Sequence, residues 1–106
     1  MKTFELARIQ IKDLTDEQVT EHLTYALELI RSAKGCGPVQ IWRGIEEEQT
    51  VLMLIEWDTL QDHLDFRDSG ALAEDRKRFE PILAGPSAVQ HYTELLVLPK
   101  VPSASA

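Results

Sequence analysis

Hydrophobic and polar positions along this chain follow two periods, and the switches between them mark its elements. Over residues 4–12, Ile9 and Ile11 alternate with Arg8, Gln10 and Lys12, as in a half-buried strand. From Leu14 the period lengthens. Val19, Leu23, Ala26, Leu27, Ile30 and Ala33 form one apolar stripe at helical spacing. Thr15 with Gln18 three residues on predicts a capping box, and Leu14 and Val19 are placed for a hydrophobic staple. Asp16 and Glu17 suit the positive end of the helix dipole. Arg31 and Lys34 fall in the last turn, and Gly35 stands where a helix is commonly terminated.

The rest of the chain alternates in the same way. Residues 39–43 read as a short strand. Residues 44–49, with Glu46, Glu47 and Glu48, read as a solvated hairpin tip, and residues 50–57 as a strongly apolar strand whose one charge is Glu56. Asp58 or Thr59 caps a short helix with Leu60, His63 and Leu64 on one side. Ser69-Gly70 breaks it, and Ser69 can cap a second piece in which Leu72, Arg76 and Phe79 share a face. Pro81 interrupts that piece, Gly85-Pro86 ends it, and residues 88–98 form the last strand. The order strand, helix, strand, strand, helix, strand predicts an α+β, ferredoxin-like βαββαβ domain with a four-stranded antiparallel sheet over residues 1–98. Residues 99–106 are a Pro/Ser/Ala-rich tail, expected to be flexible.

Two helices can cover only one face of such a sheet. Yet the 50–57 strand is apolar at both parities, Leu52 and Leu54 against Val51, Met53 and Ile55. The second face therefore also needs cover, and a second copy of the chain supplies it most simply. A homodimer is expected on these grounds alone.

Composition narrows the function classes. The chain has 106 residues, 43% hydrophobic and 27% charged, which suits one globular domain. Its net charge of −7 argues against nucleic-acid and anionic-membrane partners. Cys36 is the one cysteine, so no internal disulfide forms, as in a reducing compartment. No N-terminal apolar run resembles a signal peptide, and the longest apolar run, residues 51–55, is far short of the ~20 residues that span a bilayer. A cytoplasmic location is expected. No spaced Cys/His set suggests a metal, and no glycine-rich loop suggests a phosphate cradle.

Three stretches carry a family resemblance. Gly35-Cys36 closes the first helix, Ile55-Glu56-Trp57-Asp58-Thr59 ends the long strand, and His91-Tyr92 opens the last one. Together they resemble the antibiotic biosynthesis monooxygenase family over about residues 4–98. That resemblance implies a dimeric α/β barrel and small-molecule chemistry. Similar domains include cofactor-free oxygenases that make quinones, heme-degrading oxygenases and isomerases, and related barrels include polyketide cyclases and stress-induced proteins. The heme-degrading branch has an Asn, a Trp and a His where this chain has Arg8, Phe66 and Arg76, and without the axial His heme chemistry is disfavoured. The quinone-forming branch has an Asn, a Tyr and an Arg where this chain has Met53, His63 and Lys77, while Trp57 is kept.

The expected function is thus a cofactor-free monooxygenase acting on a hydrophobic aromatic or polyketide-type molecule. Cyclase, decarboxylase or isomerase chemistry on the same fold is the alternative, and a non-catalytic stress-type barrel or ligand carrier is the rival from another class. All the enzymatic variants need a base, one or two donors and apolar walls. His63, which titrates near neutrality, is the candidate base; its plain alternative is a structural histidine bonded to a backbone carbonyl. Arg8 is the candidate anion partner, against an exposed or interface arginine. Trp57, Met53, Phe66 and Phe79 are expected to wall the pocket. Arg76, His91 and Tyr92 are further candidates for substrate contact, with an i+4 pair to Glu80, a surface position and interface packing as their respective alternatives. His22 is expected to be solvated, and Cys36 to pack as a small hydrophobe. The enzymatic reading requires His63 and Arg8 to face one apolar pocket between helices and sheet.

Overall fold

The computed structural model describes residues 1–103. Its elements are β1 (Thr3–Gln10), α1 (Asp16–Ala26), α2 (Glu28–Arg31), β2 (Cys36–Arg43), β3 (Thr50–Trp57), α3 (Leu60–Asp68), α4 (Ala71–Phe79), a single 3-10 turn (Glu80–Ile82) and β4 (Ala88–Tyr92). The strands form one antiparallel sheet in the order β2-β3-β1-β4. This is the α+β, ferredoxin-like architecture that the element order predicts.

The first helix starts as its sequence dictates. The Thr15 hydroxyl accepts the Gln18 backbone N–H at 3.2 Å, and the Gln18 side chain accepts the Thr15 N–H at 2.9 Å. Val19, Leu23 and Ala26 turn inward, followed by Leu27 and Ile30. The expected single helix is divided at Leu27, where the backbone tightens into α2. Gly35 then takes the left-handed conformation (φ +80) that ends the helical region.

Strand register assigns every side chain to a face. Thr3, Glu5, Ala7 and Ile9 of β1 share the helix-covered face with Val51, Met53, Ile55 and Trp57 of β3, and all eight are buried. With Leu23, Leu27, Ile30, Phe66 and Ile82, the apolar members form the core. The other face carries Phe4, Leu6 and Arg8, Leu52 and Leu54, Gln40 and Trp42, and Ala88, Gln90 and Tyr92. Among the described residues, no element covers it: Trp42 is 54% exposed and Tyr92 48%.

Four expectations are corrected. The last strand ends at Tyr92 rather than at residue 98, because Tyr92 pairs with Phe4 at the very start of β1 and among the described residues no strand continues the ladder; Leu95, Leu96, Val97 and Leu98 are exposed. α4 starts from Gly70 (φ +87) rather than from Ser69, although the Ser69 hydroxyl still accepts the Ala71 N–H at 3.3 Å. The inward stripe of α4 is set by Ala71 and Phe79, which pack on the core, and not by Arg76, which is exposed. His22 is half-buried and bonded through Nε2 to the Arg78 carbonyl, not solvated. Residues 99–103 are exposed and outside any helix or strand, and the last three residues of the expected tail lie outside the described residues. Among the described residues, no helix is long and apolar enough to cross a membrane.

Candidate active site

The site grows from the junction of β3 and α3. Trp57 ends β3 and is fully buried. Thr59 caps α3, its hydroxyl accepting the Asp62 N–H at 3.1 Å. That start fixes the rotation of the helix, so His63 and Phe66 point into the molecule while Leu60 remains exposed. His63 is only 8% exposed. Its imidazole stacks on the Trp57 indole, with centroids 5.0 Å apart and planes 19° apart, and Phe66 lies 6.2 Å from the indole centroid on a tilted plane.

The polar edge of that imidazole is fully used. His63 Nε2 is 3.2 Å from Oε1 of Glu5, which stands on the buried face of β1. The same Oε1 accepts the indole N–H of Trp57 at 3.0 Å. His63 Nδ1 is 2.7 Å from Nε2 of His91, which sits directly across from Glu5 on β4. One tautomer set satisfies all three contacts. Glu5 Oε1 accepts, so the His63 proton is assigned to Nε2; Nδ1 is then an acceptor, and His91 donates from Nε2. His91 Nδ1 keeps a free lone pair.

Electrostatics support the neutral imidazole. Burial, the neighbouring His91 and the charge of Arg67 press the His63 pKa down to about 4. Burial pushes the Glu5 carboxyl above its ordinary range, and the Asp75 carboxylate adds to the rise, against the Trp57 N–H bond that lowers it. Asp75 itself is raised to about 6 by burial, with Arg78 pulling the other way. Its Oδ1 is buried and has no hydrogen-bond partner.

The structure sorts the sequence candidates into three groups. His63, Trp57, Phe66 and His91 come together. Met53 and Phe79 belong to the same hydrophobic core, Met53 inside it and Phe79 packed against it. Arg8, Tyr92 and Arg76 stand elsewhere. Arg8 and Tyr92 lie on the opposite face of the sheet from His63. The Arg8 guanidinium is 3.5 Å from Glu47, and the Tyr92 hydroxyl bonds Gln90. The expected pocket shared by His63 and Arg8 therefore does not form, because successive residues of a strand face opposite ways and Arg8 has the wrong parity. The i+4 pair on α4 is Glu74 with Arg78, at 3.7 Å, rather than Arg76 with Glu80.

Glu5 and Asp75 were missed in the sequence reading. Glu5 was legible: it shares the parity of Ile9, so an inward carboxylate could be read from the alternation. Asp75 lies four residues from both Ala71 and Phe79, which puts it on the core-facing stripe of α4.

Two concavities mark the surface elsewhere. One of about 500 Å³ lies at the β2–β3 turn beside Glu47 and Thr50, and one of about 260 Å³ lies between Lys34 and the Asp62, Asp65 and Phe66 side of α3. His63 lines neither. The His63 group instead meets solvent at the β4 edge, where Val89 and His91, on the helix-covered face by register, are both exposed. Among the described residues, no three His, Cys, Asp or Glu side chains form a metal-binding group.

The class of protein is that of α+β ferredoxin-like domains with a four-stranded antiparallel sheet. The chain belongs to the antibiotic biosynthesis monooxygenase family, whose model matches residues 4–78. It is 26% identical over 92 residues to the uncharacterized protein YczJ of Bacillus subtilis, covering 86% of this chain and 97% of that one. A structure from Bordetella bronchiseptica, named among the antibiotic biosynthesis monooxygenases, superposes with a TM-score of 0.78 at 29% identity, covering 90% of this chain and 98% of that one. SnoaB of Streptomyces nogalater, a cofactor-independent oxygenase, superposes with a TM-score of 0.75 over 93% of this chain and 98% of its own at 8% identity, a likeness of fold alone.

Proposed function

We propose that this protein is a cofactor-independent monooxygenase of an electron-rich, hydrophobic hydroxyaromatic or polyketide-type molecule, with His91, His63 and Glu5 as its proton acceptor. The observation that carries this reading is the unbroken chain His91–His63–Glu5, which links an exposed histidine to a buried carboxylate. The substrate proton goes to His91 Nδ1. The His91 Nε2 proton passes to His63 Nδ1, and the His63 Nε2 proton passes to Glu5 Oε1. Both imidazoles exchange tautomers and neither stays charged, which suits a His63 that resists protonation and a Glu5 whose pKa is raised. The substrate anion then gives its electrons to O2. A ring CH2 becomes C=O, and one water leaves with the returned proton.

The family and the 29%-identical relative support the oxygenase assignment over other base-initiated chemistry. Cyclase or isomerase reactions would share the first proton transfer and consume no O2, whereas a decarboxylase would generate its enolate by losing CO2 and likewise consume no O2. The test is O2 uptake by metal-free protein with anthrones, hydroquinones and catechols. Uptake that falls roughly a hundred-fold or more in both His63→Ala and His91→Ala supports the relay. Uptake that the variants leave intact sinks it, and substrate consumption without O2 uptake transfers the relay to the non-oxidative chemistry.

A homodimer belongs to the same proposal. The uncovered sheet face carries Phe4, Leu6, Leu52, Leu54 and Trp42, and Leu95 to Leu98 are exposed beyond it. An apolar face that runs across the sheet fits a second copy docked sheet to sheet, with Arg8 inside that interface rather than in the site.

A further inference from the structure

We infer that residues 94–98 form an arm that pairs along β4 of a second copy, and that its Leu95 walls the partner's His91, so that each site is completed by the other subunit. The inference rests on the dimer and the relay proposed above, and it adds a seam and a wall that neither contains. No turn or bend follows Tyr92, so the chain continues the line of β4 off the sheet. Phe4 stands opposite Tyr92 and β1 begins at Thr3. Among the described residues, therefore, none faces Leu96, Val97 or Leu98 on that side. Thr93 Oγ1 lies 3.3 Å from the Met1 sulfur, where the ladder runs out. Leu95 is 96% exposed, and Leu96, Val97 and Leu98 are exposed with it. The projection shows in the radius of gyration, 15.9 Å against about 13 Å for a compact chain of this length. Four successive aliphatic residues in water gain free energy from any apolar cover.

The arm is apolar at both parities, Leu95 and Val97 against Leu96 and Leu98, the two-sided pattern that β3 also carries. Such a segment fits beside a strand edge. The sheet has two edges, β2 and β4. β2 is blunted: Pro38 has no N–H to give, and the register slips between Cys36 and Val39. β4 has no proline, no charged residue and no register slip, and all five of its residues are exposed. It is the edge open to a further strand. A two-fold axis at Thr93 lays residues 94–98 of one chain antiparallel to Ala88–Tyr92 of the other, so the same segment serves both copies. In that register Leu95 falls opposite His91 and Val97 opposite Val89, on the helix-covered side. Leu96 and Leu98 fall opposite Gln90 and Ala88 on the other side, and Glu94, the one charge, opposite Tyr92. Pro99 ends the arm because it cannot donate to the ladder. Eight strands joined through β4 and curled into a barrel bring the two uncovered faces together, as the proposed dimer requires. Within one chain Val89 and His91 stay exposed. The partner's Leu95, with its Cβ about 5 Å from that of His91, gives the imidazole an apolar wall.

The test uses the full-length protein with Cys36→Ser, so that introduced thiols are the only ones. Val89→Cys with Val97→Cys is expected to give a covalent dimer on mild oxidation, which a reductant reverses. Within one chain these positions are about 26 Å apart along an extended strand, far beyond the reach of a disulfide. Val89→Cys with Leu96→Cys puts the thiols on opposite faces and is expected to stay uncross-linked. Leu95→Lys with Val97→Lys is expected to weaken dimerisation roughly ten-fold or more in analytical ultracentrifugation, as for the loss of a buried apolar anchor. Its far-ultraviolet circular dichroism should not change, since the arm belongs to no element of its own chain. For the wall, His91 is expected to react faster with diethyl pyrocarbonate in Leu95→Ala than in the parent, and at the parent rate in Leu98→Ala, read by peptide mass spectrometry. A dimeric parent whose 89–97 pair cross-links no better than its 89–96 pair overturns the arm and leaves the sheet-to-sheet dimer standing. A monomeric parent overturns both, and an unchanged His91 rate in Leu95→Ala overturns the wall. None of these readouts needs turnover, so loss of O2 uptake in His63→Ala bears on the relay alone.

Discussion

His63 and Glu5 meet through a single oxygen: Nε2 of the imidazole lies 3.2 Å from Oε1, which also receives the indole N–H of Trp57. One carboxylate oxygen therefore sets the tautomer of His63 and anchors the ring on which it stacks. Glu5→Gln keeps an acceptor for both N–H groups but cannot take up a proton. On the proposed relay, turnover is expected to fall about a hundred-fold with Tm nearly unchanged. Glu5→Ala leaves two buried N–H donors without partners and is expected to cost about 1–3 kcal/mol of stability as well. Steady-state kinetics beside thermal melts separate the two effects.

The buried titratable groups pull stability in opposite directions with pH. His63 has its pKa lowered to about 4 from 6.5. The unfolded chain binds its proton more readily, so this contribution is full above pH 6.5 and is lost as pH falls toward 4. Asp75 has its pKa raised to about 6 from 3.8. The folded chain holds its proton more tightly, so that contribution is full below pH 3.8 and is lost as pH rises through 6. Between pH 4 and 6 the two slopes oppose one another. Asp75→Asn should therefore make stability rise more steeply with pH across this window, and His63→Phe should make it fall. Denaturant titrations at four or five pH values read both slopes.

Thr15→Ala removes the acceptor of the α1 capping box. A loss of about 1 kcal/mol is expected. Chemical denaturation should show it without a change in turnover, because the cap is remote from the site.

Gly35 and Gly70 both have positive φ but differ in their surroundings. A Cβ on Gly35 would lie 2.2 Å from Oδ2 and 2.7 Å from Cβ of Asp62, whereas one on Gly70 meets nothing within 4 Å. Gly70→Ala should cost about 1–2 kcal/mol of backbone strain alone. Gly35→Ala should cost more, since α3 must also shift, and it should disturb the His63–Trp57 stack. Melting temperatures and near-ultraviolet circular dichroism test the ranking.

Leu54 lies at the centre of the uncovered sheet face, flanked in register by Leu6 and Gln40. In the proposed dimer, Leu54→Lys is expected to give a monomer in analytical ultracentrifugation. A dimer of unchanged affinity would place the interface elsewhere.

The sequence by itself determined the element order, the capping box at Thr15, the helix-ending Gly35 and the extent of β3, because these depend on neighbours a few residues apart. The two-sided apolar pattern of β3 likewise announced a sheet whose second face needs cover. Its reading of chemistry was divided. His63 and Trp57 were legible because one short turn fixes them together. Arg8 has the parity of the uncovered face, so its residue type alone points to the wrong side of the sheet, whereas Glu5 has the inward parity that Ile9 marks. What only the tertiary structure decided is contact across long sequence separation: Glu5 beneath Trp57 and His63, His91 brought to His63 by the β1–β4 register, and Asp75 set into the core-facing stripe of α4. Burial then fixes the charge states. A carboxylate, two imidazoles and an indole have ordinary chemistry when solvated, and it is their enclosure that presses His63 down and Glu5 up.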